Sequence, residues 1–274
     1  MRPSKVRAKW ANNEPALVTC LHLTDPSVSE LVALMGFDGI WYDMEHHGYS
    51  VETAQTMMRA ARVGPGADAM VRPAKGEFMR IGRMLESGAM GILYPRCDSP
   101  EEAAEVVKWA KFHPMGERGF DGGNPDMPYC SMDMGEYVKF ANEQTWIVIQ
   151  LEEQTAVDQA EAIAAVDGVD VIMLGPGDFS ILSGIPGQID HPKIQKALQA
   201  MAKAAENTGK SIAMPTPTAE RAKMMMDLGA RLFLSGADLL WIKNGLQQVQ
   251  ADFAPLGFTF DNSLDDAQSY LEKS

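Results

Sequence analysis

Cysteine is scarce in this sequence of 274 residues, and long apolar runs are missing. The three cysteines, Cys20, Cys97 and Cys130, are odd in number and lack the close spacing of a metal-binding cluster. Disulfide bonds are therefore not expected, and a reducing cytoplasm is the location that fits. No apolar run reaches the roughly 18–20 residues that a membrane-spanning helix needs. The basic N-terminal stretch leads into no apolar segment, so we expect no secretory signal.

Basic residues are outnumbered. The sequence has 24 Lys and Arg against 37 Asp and Glu, which gives a formal net charge of −13. Such a surface repels phosphate backbones, so nucleic acid is not an expected partner. There is neither a GxxxxGK[ST] loop nor a GxGxxG turn after a strand, which argues against a nucleotide cofactor. No lysine lies within or directly at the end of a predicted strand, which argues against Schiff-base catalysis.

What is present is a regular alternation of short apolar runs and longer amphipathic stretches from residue 16 to about 250. The runs predict eight strands, at 16–23, 39–44, 68–72, 91–96, 146–151, 170–174, 211–215 and 232–235. The stretches predict eight helices, at 27–35, 51–63, 77–87, 99–112, 155–165, 192–208, 218–228 and 237–252. In a chain of this length, the alternation favours one closed parallel (β/α)8 barrel, a TIM barrel, over an open doubly wound sheet.

Two segments depart from this alternation within the single predicted domain, residues 1–274. Residues 114–145 carry four glycines between 116 and 123, and they predict a long loop with a short helix on the functional rim. The tail, 256–274, is acidic and weakly amphipathic. It predicts either a terminal helix that packs on a neighbouring subunit or a frayed end.

Glu152 and Asp178 each follow an apolar run that reads as a buried strand. Adjacent parallel strands would bring both carboxylates to the C-terminal rim of the barrel, where barrel enzymes carry their chemistry. Two acids without a basic neighbour in sequence favour a hard divalent cation such as Mg²⁺ or Mn²⁺. The alternative is that one or both are solvated loop acids, as most Asp and Glu are.

The predicted second strand ends in a polar segment that contains Asp43, Glu45, His46 and His47. A histidine at the rim can act as a general base, because its pKa lies near working pH. We favour His46 for this role over His47, whereas a polar loop that caps the next helix is the alternative. Asp43 and Glu45 alternate with a methionine, so one is expected to face the barrel mouth while the other braces the rim.

Two further strand ends carry candidate groups. Arg72 precedes a proline that holds it extended, and a permanent cation there would stabilise a developing oxyanion. The alternative is a structural arginine paired with a rim carboxylate. In the turn 175–180, glycines at 175 and 177 allow backbone N–H groups to converge on an anion such as a small carboxylate.

Six ordered blocks give the chain a resemblance to a known family. The blocks are D-x-E-H at Asp43–His46, V-R-P at Val71–Pro73, Gly88-Ala89 leading to Pro95, P-x-G-x-R-G at Pro114–Gly119, Q-x-E at Gln150–Glu152 and G-P-x-D-x-S at Gly175–Ser180. Over residues 16 to about 250 the chain resembles the HpcH/HpaI family of metal-dependent class II pyruvate aldolases. Its members include 2,4-dihydroxyhept-2-enedioate and 2-dehydro-3-deoxyglucarate aldolases.

The resemblance implies a TIM barrel that forms a homo-oligomer, usually a hexamer, with a C-terminal helix exchanged between partners. It implies that Glu152 and Asp178 ligate Mg²⁺, Mn²⁺ or Co²⁺, which chelates a pyruvate unit. Arg72 would hold the keto oxygen, and His46 would move the proton of the aldol hydroxyl. The implied catalytic residues are Asp43, His46, Arg72 and Glu86, and the implied substrate-binding residues are Arg72, Gln150, Gly175, Pro176, Gly177 and Ser180.

The sequence departs from the family pattern at three places. The family often has an aspartate, as a partner for the histidine, at the position of Glu86. A Gly or Ala followed by Pro usually comes after the histidine, whereas this chain has His47 and Gly48. The loop 119–135 also differs, and we expect differences in acceptor specificity to lie there.

The expected reaction is the cleavage of a 4-hydroxy-2-oxo acid to pyruvate and an aldehyde, together with the reverse addition. One alternative is a lyase of the same barrel type that acts on a citramalyl- or malyl-CoA thioester, although the chain shows no obvious basic patch for CoA phosphates. Decarboxylation of oxaloacetate is a chemically related reaction and a candidate side activity. A non-catalytic barrel scaffold is a further alternative, which would not need the charged rim residues.

Overall fold

The strands form where the sequence predicts them. A computed structural model describes residues 2–264. Its strands are β1 Ala16–Leu21, β2 Gly39–Asp43, β3 Asp68–Arg72, β4 Gly91–Tyr94, β5 Trp146–Leu151, β6 Val171–Leu174, β7 Ser211–Ala213 and β8 Leu232–Ala237. Most strand residues are buried, as parallel strands covered on both faces require. All eight predicted strands are confirmed.

The strands close into a barrel. Their order is β7-β6-β5-β4-β3-β2-β1-β8, and all paired neighbours are parallel. Between β7 and β8 the described residues form a single bridge, Pro215 to Leu234, beside which Thr216 N–H donates to the Leu234 carbonyl at 2.8 Å. The chain is therefore a nearly closed (β/α)8 barrel, and the predicted fold is confirmed.

Helices surround the barrel and cover its N-terminal end. They are α1 Lys5–Ala11, α2 Pro26–Leu34, α3 Val51–Ala60, α4 Phe78–Ser87, α5 Pro100–Ala110, α6 Met134–Gln144, α7 Gln154–Val157, α8 Ala160–Ala164, α9 Pro176–Leu182, α10 Pro192–Thr208, α11 Ala219–Asp227 and α12 Asp238–Phe253. Two 3-10 turns are Pro128–Cys130 and Ala254–Leu256. The predicted helix at 155–165 is two short helices, and α1 and α9 were not predicted. At α5, Ser99 accepts from Glu102 N–H at 3.2 Å, which satisfies a donor of the first turn.

The N-terminal helix α1 covers the N-terminal ends of the strands. Val6 is fully buried within the barrel interior, and the ring of Trp10 packs edge-on against Trp146 at 5.7 Å between centroids. Arg7 pairs with Asp170 at 2.7 Å, just before β6. With this end of the barrel covered, the C-terminal ends of the strands are the open face.

Residues 114–145 require a correction. In a parallel barrel the connection from a helix to the next strand lies at the N-terminal ends of the strands, and this segment joins α5 to β5. Its hydrogen bonds agree with a position at this end. The Pro125 carbonyl accepts from the side chain of Arg62, just after α3, and the side chain of Gln144 accepts from the backbone N–H of Ser4, just before α1. The predicted short helix is present as α6. The segment therefore lies opposite the functional rim of its own chain, on which the sequence had placed it. The expected link between 119–135 and acceptor specificity stays a prediction.

The C-terminal helix α12 extends from the barrel with much of its apolar surface uncovered. The exposed apolar side chains on one of its faces are Leu239, Ile242, Leu246, Val249 and Phe253. Of its residues only Asp238 is buried. The predicted tail, 256–274, lies partly outside the described residues, from 265 onward. Within residues 2–264, no helix is both long and apolar enough to cross a membrane.

Candidate active site

A cavity of about 310 Å³ opens at the C-terminal ends of the strands. It brings together most of the residues that the sequence singled out. Those that line it are Asp43, His46, Arg72, Gln150, Glu152, Gly175, Pro176, Gly177 and Asp178. Two predicted site residues, Glu86 and Ser180, do not line it.

Arg72, the last residue of β3, is a fixed cation in this cavity. Its Nε and Nη2 donate to the two carboxylate oxygens of Asp43 at 2.8 and 2.6 Å, and its Nη1 donates to Gln150 Oε1 at 3.4 Å. Glu45 Oε2 lies 3.2 Å from Arg72 Nε. Burial alone would raise the pKa of Asp43, but the hydrogen bonds and charge of Arg72 outweigh it and hold that pKa below its ordinary value. The pair is therefore charged and rigid at neutral pH.

Glu152 follows β5 directly and is 2% exposed. Its Oε1 accepts from Gln150 Nε2 at 2.9 Å, and its Oε2 accepts from the backbone N–H of Arg96 at 2.9 Å. Burial, followed by the charge of Asp178, raises the pKa of Glu152 to about 8. The surrounding protein groups therefore compensate the charge of this carboxylate only in part.

Asp178 lies in the first turn of α9, directly after β6. The approach of this turn to β5 requires glycine at position 175. A Cβ on Gly175 would lie 2.3 Å from Glu152 Oε1 and 2.5 Å from Gln150 Nε2. The absence of a side chain thus allows the turn to pack on Glu152 and brings Asp178 to the cavity wall.

Ser180 has a different position from the one that the sequence suggested. Its side chain is buried in α9, where the hydroxyl donates to the Gly177 carbonyl at 2.7 Å and accepts from Gly187 N–H at 3.0 Å. Both hydrogen bonds are internal to the segment after β6. Ser180 therefore holds the shape of this turn from behind the cavity wall.

The chemistry of Glu152 and Asp178 fits a hard divalent cation. Among residues 2–264, no group of three or more His, Cys, Asp or Glu is arranged to hold a metal ion. A cation at these two carboxylates would therefore take its other ligands from substrate and water, which is how Mg²⁺ is commonly bound. It would also offset the two causes that raise the pKa of Glu152, which are first its burial and then the charge of Asp178.

Two histidines of the segment after β2 reach the cavity. His47 Nδ1 lies 3.2 Å from Asp43 Oδ2, so this ring is hydrogen-bonded to the carboxylate that pairs with Arg72. His46 has a more exposed side chain, and its Nε2 lies 3.5 Å from Glu45 Oε2. Both rings line the cavity, and His47 rather than His46 has the contact with Asp43.

Glu86 lies far from these histidines within one chain. It is in the last turn of α4, at the N-terminal end of the barrel. Burial raises the pKa of Glu86, and the charges near it include those of Arg118 and Asp121, which belong to the segment after α5. The pairing of Glu86 with His46 that the resemblance implied is not formed within a single chain.

Sequence reasoning missed three polar residues of this site. His22 directly follows β1, and its Nδ1 lies 3.2 Å from the carboxylate of Asp238, the first residue of α12 after β8. Both stand at strand ends, so the rule that found Glu152 would have found them. Arg221 lies inside the amphipathic helix α11, where an arginine usually faces solvent, so no pattern in the sequence indicated it.

Comparisons with known proteins agree with this architecture. The sequence profile described as HpcH/HpaI aldolase/citrate lyase matches residues 18–242. The 5-keto-4-deoxy-D-glucarate aldolase of Klebsiella pneumoniae is 30% identical over 251 residues, which cover 92% of this chain and 97% of that protein. The hydroxypyruvate/pyruvate aldolase of Pseudomonas aeruginosa is 27% identical over 250 residues, which cover 91% and 92%.

A solved structure extends the agreement to three dimensions. The crystal structure of the HpcH/HpaI aldolase from Desulfitobacterium hafniense DCB-2 superimposes with a TM-score of 0.84 at 27% identity, covering 93% of this chain and 98% of that one. The family profile spans β1 to the start of α12, and the site residues lie inside it. This chain belongs to the HpcH/HpaI aldolase/citrate lyase family.

Proposed function

We propose that this protein is a class II aldolase, dependent on a divalent metal, that cleaves 4-hydroxy-2-oxo acids to pyruvate and an aldehyde and catalyses the reverse addition. The observation that carries the proposal is the grouping of Glu152, Asp178 and Arg72 around one cavity. Two carboxylates suit a metal ion, and a fixed cation suits an oxygen that becomes negative. The two curated relatives described above are named as aldolases, which supports it.

The proposed cleavage breaks the C3–C4 bond of the substrate. The 4-hydroxyl loses its proton, C4 becomes the aldehyde carbon, and the bonding pair moves toward C3 and the keto oxygen. C3 then takes up a proton to give pyruvate. Arg72 Nη1 is the guanidinium nitrogen that Asp43 does not occupy, and the N–H that it does not donate to Gln150 is available to the keto oxygen. Loss of one such contact raises a barrier by about 3–4 kcal/mol.

Glu152 and Asp178 would hold Mg²⁺, Mn²⁺ or Co²⁺. When bound, the cation supplies Lewis acidity at the keto oxygen and carboxylate of the pyruvate unit. Gly177 lies in the first turn of α9, where backbone N–H groups have no partner inside the helix, and these groups would bind the substrate carboxylate. Gln150 is hydrogen-bonded to both Arg72 and Glu152, so it fixes the spacing between them.

We assign the movement of the 4-hydroxyl proton to His46. Its side chain is the more exposed of the two histidines after β2 and lines the cavity, so it can exchange a proton with solvent. Asp43 acts through Arg72, which it holds in one orientation by two hydrogen bonds. His47 supports Asp43 from the other side.

Release of pyruvate tests the proposal. In an assay coupled to lactate dehydrogenase, protein treated with EDTA should not cleave a 4-hydroxy-2-oxo acid, and added Mg²⁺ or Mn²⁺ should restore turnover. Glu152→Gln should abolish the restored activity, because it removes a negatively charged ligand while keeping the shape of the side chain. The matched control is Glu153→Gln, whose side chain is 46% exposed and should retain activity. Full activity of Glu152→Gln after EDTA treatment would show that the metal assignment is wrong.

The proposal includes a homo-oligomer, with a hexamer favoured by the family resemblance. The apolar face of α12 supports it, because Leu246 and Val249 are 62% and 51% exposed. We also propose a cytoplasmic location, which agrees with the three free cysteines.

A further inference from the structure

Both carboxylate oxygens of Glu152 accept hydrogen bonds, and one of the two donors is a backbone group. Gln150 donates to Oε1 from its side chain, whereas the backbone N–H of Arg96 donates to Oε2 at 2.9 Å. Arg96 lies two residues after β4, in the connection to α5. The direction of the Glu152 carboxylate therefore depends on the backbone of a loop that follows the neighbouring strand.

The backbone of Arg96 has an unfavourable conformation. Its φ is 50°, in the left-handed region, which a residue other than glycine adopts at a cost of about 5- to 30-fold in population. On one side the N–H of Cys97 donates to the Gln150 carbonyl at 3.0 Å. The side chain of Arg96 is 44% exposed and lies 3.7 Å from that of Glu153, so it contributes little. The conformation therefore persists because hydrogen bonds to the backbone around Arg96 hold it.

Lys75, from the loop between β3 and α4, supplies the donor to the Arg96 carbonyl. Its Nζ donates to this carbonyl at 2.7 Å, and it also donates to Asp98 Oδ2 at 2.9 Å and to Glu102 Oε2 at 3.0 Å. These three acceptors use all three N–H donors of the ammonium group. The two carboxylates therefore hold Lys75 in one position, with its third donor on the Arg96 carbonyl.

Further hydrogen bonds join the loop of Lys75 to the loop of Arg96. The Tyr94 hydroxyl donates to Glu102 Oε1 at 2.7 Å and accepts from the backbone N–H of Gly76 at 2.9 Å. The side chain of Glu102 is 13% exposed, whereas that of Lys75 is 38% exposed. Within residues 2–264, Lys75 and Glu102 are not among the groups that line the cavity. This network therefore acts on the site from outside it.

We propose that Lys75 is a positioning residue for the cation at Glu152 and Asp178. It binds the Arg96 carbonyl, keeps the backbone of Arg96 in the left-handed conformation, and so directs the Arg96 N–H toward Glu152. This inference rests on the proposed metal-dependent function, because it concerns a carboxylate that would bind the metal. Groups that orient a metal ligand are typically worth about 10- to 100-fold in metal affinity. Lys75 acts through one further residue, so we expect the lower end of this range.

Binding of Mn²⁺ alone tests the assignment. Protein treated with EDTA and dialysed is titrated with Mn²⁺, and the free ion is measured by EPR. Lys75→Met should raise the Kd for Mn²⁺ by about 10-fold, while Tm stays within a few degrees of the wild-type value. Loss of a positive charge would by itself favour a bound cation, so weaker binding indicates a change of position and not of charge. An unchanged or lower Kd would overturn the assignment.

The Arg96→Gly background shows whether Lys75 acts through the backbone of Arg96. Glycine adopts positive φ about as readily as negative φ, so it has little tendency to leave the left-handed conformation. Lys75→Met should therefore raise the Kd about 10-fold when residue 96 is arginine, and no more than about 3-fold in the Arg96→Gly background. An equal rise in both backgrounds would overturn the assignment, because Lys75 would then act by another route.

Lys108→Met is the matched control. Lys108 lies in α5 and its side chain is 36% exposed, close to the value for Lys75. It also pairs with two acids, Glu105 at 3.3 Å and Glu117 at 3.8 Å. Lys108→Met should leave the Kd for Mn²⁺ unchanged, and Lys75→Arg, which keeps a donor for the carbonyl, should recover part of the affinity. A rise in Lys108→Met equal to that in Lys75→Met would overturn the assignment.

Glu152→Gln, titrated in the same way, tests the proposed function separately. Binding of Mn²⁺ to Glu152→Gln as tight as to the wild type would refute the metal site and this inference with it. Weaker binding to Glu152→Gln, together with wild-type binding to Lys75→Met, would refute the role of Lys75 alone.

Discussion

Substitution of Gly175 by alanine is a steric test of the site that leaves its chemistry intact. The backbone at Gly175 has φ −91° and ψ 89°, which alanine adopts without strain. The added Cβ would lie 2.3 Å from Glu152 Oε1 and 2.5 Å from Gln150 Nε2. Contacts this short do not persist, so the Glu152 carboxylate has to move.

The size of the effect follows from that distance. Ordinary contacts begin at about 3.4 Å, so the Glu152 oxygen must shift by roughly 1 Å. A displacement of that size in a catalytic group lowers turnover by about 10²-fold, or about 2.7 kcal/mol in the barrier. The free energy of unfolding should fall by about 1–3 kcal/mol, because the added methyl group overpacks a buried site.

The assay combines pyruvate release with Mn²⁺ titration and a thermal melt. Gly175→Ala should lose turnover and bind Mn²⁺ more weakly, while Tm falls by only a few degrees and the protein stays folded. The matched control is Gly82→Ala, inside α4, where a Cβ meets nothing within 4 Å. It should keep turnover and, if anything, raise Tm. Wild-type kcat/KM and Mn²⁺ affinity in Gly175→Ala would refute the argument that Glu152 is held in place by the bare backbone of the turn.

Two more predictions follow from the contacts described above. Arg72→Lys should lower kcat by about 10²- to 10³-fold in the coupled assay, because one ammonium group cannot donate to both oxygens of Asp43 and also reach the substrate. Unchanged kcat would remove Arg72 from the mechanism. Leu246→Glu should reduce the mass measured by light scattering after size exclusion, since it places a charge on the apolar face of α12. Asn244→Glu, off that face, is the control, and an unchanged mass in Leu246→Glu would count against packing through α12.

The sequence was informative about the strands and about residues at their ends. Each strand is a short, mostly apolar run between helical stretches, so both its existence and the direction of its C-terminal end could be inferred. Arg72 and Glu152 were found in this way. His22 stands directly after β1 and could have been found by the same rule. Arg221 could not, because nothing in an amphipathic pattern shows that a helix of the outer layer leans over the barrel mouth.

The error over residues 114–145 has a topological cause. Glycine-rich composition suggested a functional loop, yet the side of the barrel is decided by whether a loop precedes or follows a strand. This segment precedes β5, so it lies at the covered end. Ser180 shows a second limit. Its position in a family-like block indicated a role near the substrate, but only coordinates show that its hydroxyl is used by Gly177 and Gly187.

The single bridge between β7 and β8 makes this the most weakly paired contact between neighbouring strands of the barrel. Every other pair of neighbouring strands has between two and five residue pairs in register. Between β7 and β8 the one pair is Pro215 and Leu234. Both residues line the cavity on its β7–β8 side. Outward movement of that side would therefore disturb few backbone hydrogen bonds, whereas the strands before Glu152 and Asp178 would stay in register. In the proposed reaction, the barrel would then bind the pyruvate unit on a firmly paired part of the sheet and leave the less tightly paired side for the aldehyde part.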